Sequence, residues 1–280
     1  MKLKDMTIEE LETLSYTDLA FLVLSENGKS MNTLSVFKKI CQLLGISDEE
    51  YKKVESFISA ARAFARSTYQ CVYIIDYYKR EFLYVSENLA LLCGQPIDKI
   101  YNFGYNLYLE HVPDKELDML LEINKKGFDL FSSFPLEERL DYSIQYDFHL
   151  INKRKPYLIH HTLTPLALAQ DGKIWLALCT VSMSSNNTPG QIVVKKENSK
   201  EYYEYDLIRH KWILKEEKSL SETERDVLWL STQGYTMNEI ADKLCKSVDT
   251  IKSCKRSLFT RLGVKNITEA LYHVVNYRLI

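Results

Sequence analysis

The apolar positions of this chain change their rhythm twice. Over the first 67 residues and again from Val227 to Leu262 they recur three and four apart, the spacing of a helix with one buried face; between about 70 and 214 they alternate along short tyrosine- and valine-rich runs, the spacing of strands. In the first region Thr7 with Glu10 and Ser47 with Glu50 fit the capping box. There a hydroxyl and a carboxylate three residues apart satisfy the free amides of a helix start. The first box precedes Leu11 and Leu14, and the second precedes a stripe of Tyr51, Val54, Phe57, Ile58, Ala61, Phe64 and Ala65. The stripe can pack on the following sheet or on the same helix of a second subunit; no sustained heptad accompanies it, so packing on its own chain is the expectation.

In the middle region the alternation predicts strands at 70–76 and 81–85, then a helix that Ser86 starts and Gly94 ends, then a mostly helical stretch. Three longer strands follow at 141–151, 156–168 and 173–183, with turns at Asn152 to Lys155 and at Gln170, Asp171 and Gly172. Ser184 to Gly190 reads as a linker. Beyond it, 191–195, 202–208 and 211–214 predict a short hairpin or meander, with Tyr203, Tyr205 and Trp212 on an apolar face that can lie against the PAS-like domain.

The last region has the most explicit punctuation. Ser221 with Glu224 and Thr236 with Glu239 form two more capping boxes, Ser247 opens a third helix, and Gly234 and Gly263 stand where left-handed helix stops are expected. Val227, Leu228, Leu230, Ile240, Leu244, Ile251, Leu258 and Leu262 suffice for one small core. Charge then separates this bundle from an ordinary one. Residues 243–265 hold Lys243, Lys246, Lys252, Lys255, Arg256, Arg261 and Lys265 against the single acid Asp249, seven minus one or a local +6, in a chain whose net charge is −2. A third helix bearing Lys252, Ser253, Lys255 and Arg256 can lie in a DNA major groove with hydroxyls and cations on base edges, while Lys246 and Thr250 meet the flanking phosphates.

At these residues the chain resembles the LuxR-type helix-turn-helix regulators of bacteria. Leu220, Ser221, Glu224, Val227, Leu228, Gly234, Glu239, Ile240, Ala241, Leu244, Ser247, Thr250, Ile251, Lys252, Leu262, Gly263 and Val264 carry the likeness, over about residues 219–277. The resemblance implies a fourth helix near 268–277, with Ile267, Leu271, Val274 and Val275 as its apolar positions, and a dimer contact through its exposed face. The chain departs from the family pattern at Thr223, where an arginine is usual, and at Cys254, where a histidine is usual.

The order of strands and helices in 68–183 is similar to that of a PAS domain, through Tyr84-Val85-Ser86, Leu92 with Gly94, His111 to Asp114, and the Asp171-Gly172 turn before Ile174-Trp175. That likeness implies a sensor of a signal, a partner or a small ligand in its cavity. A flavin photosensor would need an asparagine-cysteine-arginine run where Asn102 to Asn106 stand, and His111 lies in a turn where it caps or packs instead of holding haem. His160 and His161 alternate along one strand, which puts one inward and the other toward solvent or a second layer, and neither has a second ligand at metal spacing. No cofactor and no metal are expected.

The organisation expected is α+β: N-terminal helices over 1–67, a PAS-like antiparallel sheet domain over 68–183, a linker with a short β element over 184–217, and an all-α four-helix LuxR-type domain over 218–280. With 46% hydrophobic residues the chain can fill packed cores, and no apolar run approaches the ~20 residues a bilayer requires. A cytoplasmic protein with reduced cysteines and no membrane partner is expected; Cys41, Cys71, Cys93, Cys179, Cys245 and Cys254 are scattered without a CxxC pair. Cys254 is read as buried filler over an activated thiol. Glu137, Glu138 and Asp141 flank Arg139 as in a solvated turn, no nucleophile elbow, zinc or kinase signature occurs, and no enzyme is expected. The reading is therefore a sensor-controlled, homodimeric regulator bound to double-stranded DNA. The alternative is a sensor or scaffold whose C-terminal helices bind protein.

Overall fold

The computed structural model describes residues 48–68, 70–216 and 220–276. The expected helix starts at Thr7 and Ser47, and Cys41, lie outside them. The fold is α+β, with eight strands in one sheet and the helical segment at the C-terminus. The elements in chain order are α1 (Asp48–Thr68), β1 (Cys71–Asp76), β2 (Glu81–Val85), α2 (Glu87–Cys93), α3 (Ile97–Phe103), α4 (Leu107–His111), α5 (Asp114–Ser133), β3 (Tyr142–Asn152), β4 (Lys155–Leu168), β5 (Ile174–Met183), β6 (Gly190–Lys196), β7 (Glu201–Asp206), β8 (Lys211–Glu216), α6 (Glu222–Thr232), α7 (Met237–Lys243), α8 (Val248–Leu262) and α9 (Ile267–Asn276). The strand order is β2-β1-β5-β4-β3-β6-β7-β8.

The chain forms two compact units. One takes the described residues up to Ile144 with Leu150–Pro156 and Thr162–Val181; the other takes Gln145–His149, Tyr157–His161 and the described residues from Ser182 on. In the first, α1 lays its stripe on the sheet. Val54 meets Tyr78, Trp175 and Leu176, while Ala61 and Ala65 meet Val72, Ile74 and Tyr84; Phe64 alone of the expected stripe stays exposed. The helix therefore packs in cis, as expected. A polar tie fixes its start: the fully buried Asp76 accepts hydrogen bonds from Tyr51 (2.8 Å), Trp175 Nε1 (3.4 Å) and the amides of Tyr78 and Lys79. Four donors compensate the burial of that carboxyl group.

β1 runs antiparallel to both β2 and β5. Ser86 stands at the N-cap of α2 with extended backbone, yet its hydroxyl accepts from the Val72 amide (2.8 Å) across the strand instead of capping the helix. Gly94 ends α2 at φ 65°, and a Cβ there would lie 2.2 Å from Asn152 Oδ1. Asn152, from the β3–β4 turn, donates to the last carbonyls of α2, Leu91 and Leu92. Arg139 is more than part of a solvated turn. Its guanidinium donates to the carbonyls of Phe134, Gly172 and Ser132 at 2.7–3.0 Å, and so binds the loop after α5 to the turn before β5.

In the second unit β6, β7 and β8 form an antiparallel meander in which Tyr205 packs on Trp212 and Lys215 pairs with Glu204 at 2.6 Å. A short hairpin or meander was expected here and the meander is what forms; its continuation into the one sheet, beside β3, is the added finding. Pairing partners distant in sequence decide this, and alternation within a strand says nothing about them. Ser184 and Asn186 in the preceding linker are engaged too, since the Ser184 amide donates to Leu158 and both side chains donate to Asp147. His160 and His161 follow the alternation, with the second of the two expected outcomes: both are buried, so a second layer and not solvent meets the outer one. His160 lies against Asp147, and His161 lies among the rings of Tyr146 and Phe148, so both faces of the sheet are covered at this point.

Candidate nucleic-acid interface

The helices α6 to α9 form two adjoining cores. Leu220, Leu228, Leu258, Val264, Ala270 and Val274 make one, and Val227, Ile240, Ala241 and Ile251 make the other. Both expected capping boxes are complete. Ser221 Oγ accepts from the Glu224 amide and the Glu224 carboxylate accepts from the Ser221 amide (2.8 Å); Thr236 and Glu239 repeat the pattern. Ser247 opens α8 by accepting from the Thr250 amide at 3.1 Å.

The three stops share one geometry, in which a left-handed residue donates backward and the next residue's amide reaches the carbonyl five before it. Gly234 with Tyr235 closes α6, Cys245 with Lys246 closes α7, and Gly263 with Val264 closes α8. The first and third were legible as glycines. The second carries a cysteine at φ 51°, in the turn between the two central helices. A side chain at that angle is disfavoured. Cys245→Gly is expected to raise the stability of the helical segment by about 0.5–1 kcal/mol, read as a higher urea midpoint with unchanged slope; a lower midpoint would count against the strain.

Ile251 and Leu258 point into the cores, which sets the opposite side of α8 toward solvent. Lys252, Ser253 and Arg256 are all exposed there, within one sector about 100° wide together with Asp249. Lys252 and Asp249 approach only to 4.0 Å, a loose pair that costs little to break. Lys255 lies at the edge of this face, half-buried, with its ammonium 5.6 Å from the Phe259 ring. Lys246 is exposed just before the helix. Thr250 is exposed as well, its hydroxyl bonded to Ser247 Oγ at 2.8 Å within the cap. The six expected residues thus fall on the exposed face and N-terminal end of one helix. Two other cations of the local +6 serve the domain itself. Arg261 pairs with Glu224 at 2.8 Å, and Lys243 lies 4.5 Å over the Tyr235 ring. Burial works to raise the Glu224 carboxyl, but hydrogen bonds from Ser221 and Arg261 outweigh it and hold the group below the usual carboxylate range. Sequence alone could not separate Arg261 from the surface cations, because its partner lies 37 residues away.

Cys254, where a histidine is usual, is filler as expected: it packs on the core of Val227, Ile240 and Ile251, and burial pushes its thiol up, away from the activated form.

Residues 218–274 match the family of bacterial regulatory proteins, luxR family. The C-terminal segment is a LuxR-type helix-turn-helix domain. The transcriptional activator protein BglJ of Escherichia coli K12 is 33% identical over 61 residues, 22% of this chain and 27% of BglJ. The transcriptional regulatory protein RcsB of the same organism is 46% identical over 50 residues, 18% of this chain and 23% of RcsB. The chain therefore spans about a quarter of the length of these curated relatives. Among solved structures, the phage VqmA–DPO complex aligns over 82% of this chain and 91% of that one, at 16% identity and a TM-score of 0.31. Within the LuxR-type domain α7 and α8 are the two helices flanking the tight turn at Cys245 and Lys246.

Among the described residues no helix is long and apolar enough to cross a membrane.

Proposed function

We propose that the whole chain is a transcription regulator that binds specific double-stranded DNA as a homodimer in the cytoplasm, with a PAS-like segment over 68–183 that receives a signal and governs the LuxR-type domain. The observation that carries the reading is the exposed face of α8. Lys252, Ser253 and Arg256 project from a helix whose opposite side is locked into two cores and whose start is capped, so cations and a hydroxyl are held in place before DNA arrives. Lys255 and Arg256 with Lys252 and Ser253 would meet the groove, and Lys246 and Thr250 the flanking backbone. A dimer would read half-sites about one helical turn, or ~34 Å, apart. The signal received by the sheet segment is a small molecule or a partner. The long strands and the polar tie of α1 at Asp76 make a stiff body through which such a signal could be passed.

Selection of DNA from a random pool by the full-length chain at physiological salt tests the reading. An enriched two-fold symmetric sequence is expected. A second reading, in which the C-terminal helices bind protein, draws on Trp229 (65% exposed), Tyr272 (51%) and Val275 (55%), large apolar side chains on the outer sides of α6 and α9. Absence of enrichment both from the full chain and from residues 215–280 would favour that second reading.

A further inference from the structure

The exposed face of α8 carries one residue whose charge opposes the rest. Asp249 is the single acid among the seven cations of residues 243–265, and its side chain is 96% exposed. Lys252, Ser253 and Arg256 follow it by three, four and seven residues, the spacing of one helix face. Asp249 therefore stands near the middle of their sector and about 4.5 Å nearer the start of the helix than Lys252. In a helix-turn-helix the second helix of the pair enters the major groove, and its start reaches the base edges. Lys252 Nζ lies 4.0 Å from Asp249 Oδ1, too loose a pairing to mask the carboxylate. Glu224, Glu239 and Glu269 spend their carboxylates on the starts of α6, α7 and α9. At α8 the start is capped by Ser247, and Asp249 projects into solvent.

We propose that Asp249 is a specificity-determining residue that selects cytosine at one position of the bound sequence, chiefly by excluding bases that present an acceptor there. This role rests on the DNA-binding reading of α8. A carboxylate can only accept hydrogen bonds. In the major groove cytosine offers its N4 amino group, adenine offers N6 beside the acceptor N7, guanine offers the acceptors O6 and N7, and thymine offers the acceptor O4. Cytosine is therefore the match and adenine is intermediate. Guanine and thymine would leave a negative charge stripped of water against a lone pair, which is costly. Phosphates on either side repel the same charge. Asp249 thus lowers affinity for DNA in general while it separates one base from the others, a discrimination built from repulsion as much as from attraction.

Selection from a random DNA pool at physiological salt by full-length wild type, Asp249→Ala and Asp249→Asn tests this, followed by titration on four duplexes that differ only at the selected cytosine. Wild type should enrich a sequence with a fixed cytosine and bind the guanine and thymine duplexes at least about fivefold more weakly. Asp249→Ala should enrich the same sequence with that position open. It should bind the cytosine duplex at least as tightly as wild type does, and the guanine duplex at least about fivefold more tightly. Asp249→Asn should move the preference to adenine, whose N6 and N7 match the acceptor and donor of an amide. Enrichment of no sequence by wild type would count against the DNA-binding reading and overturn this inference with it. A wild-type preference unchanged at every position in Asp249→Ala, or a position that opens but had favoured guanine or thymine, would overturn this inference alone. Equal weakening of Asp249→Ala on all four duplexes would do the same, as the mark of an acid that only steadies the first turn of α8.

Discussion

Full-length protein with Lys252, Lys255 and Arg256 all replaced by alanine should bind its selected DNA about 10²–10⁴-fold more weakly, with its helical content unchanged. Each well-placed base contact is worth about 1–3 kcal/mol, and every phosphate that loses its neutralising cation lowers the slope of log affinity against log salt by about 0.9. The three side chains contribute differently. Arg256 is exposed and has a planar fork suited to a base edge, so Arg256→Ala alone should relax sequence preference more than it changes the slope. Lys252 must release its loose pairing with Asp249, which is why Asp249→Ala should strengthen binding slightly. Lys255 starts half-buried over Phe259 and gives the smallest single effect. Titrations at several salt concentrations separate these cases, and an unchanged slope in the triple variant would remove α8 from the interface. Arg261→Ala should behave otherwise, weakening binding through loss of stability because its partner is Glu224.

Leu258→Ala should unfold the LuxR-type domain outright. Leu258 is fully buried where α8 meets α9 and the segment before α6, and truncating leucine to alanine at such a site costs about 2–5 kcal/mol. A segment of this size rarely has more than about 3–5 kcal/mol to lose. Ile240→Ala and Ile251→Ala, fully buried in the second core, should do the same. By contrast, Trp229→Ala and Tyr272→Ala remove exposed rings and should change stability by roughly 0.5 kcal/mol or less. Amide exchange distinguishes local from global collapse: α6 to α8 should lose protection in Leu258→Ala while α1, held by Asp76 and the sheet, keeps it. Survival of α8 protection would mean that the two cores support each other less than their packing implies.

Local chemistry made most of these elements legible. The strands stand within about two residues of where alternation and turn residues place them, because turns with left-handed or Asx geometry punctuate them. The caps of α6, α7 and α8 were readable for the same reason, as a box needs only four consecutive residues. What depends on distant partners was not readable. Nothing near β6 in sequence says that it lies beside β3, nothing near His160 says that its face of the sheet is covered, and nothing near Arg261 names Glu224. The left-handed stop after α7 was not legible, because that position holds cysteine and the rule for helix stops looks for glycine. The exposed cations of α8 were legible for a different reason: a charged surface is set by composition and helical period, both local.

The strand order leaves one edge of the sheet at β8, with the sequence Lys211 to Glu216. A free edge invites another strand, and strands added without end make fibres. Here the edge strand is six residues long, begins with an exposed lysine and ends with an exposed glutamate. Lys215 is engaged across the strand with Glu204. Any chain docking along β8 would have to strip water from those charges, which costs more than a few backbone hydrogen bonds return. A charge at either end of a short edge strand opposes edge-to-edge pairing of a sheet this wide.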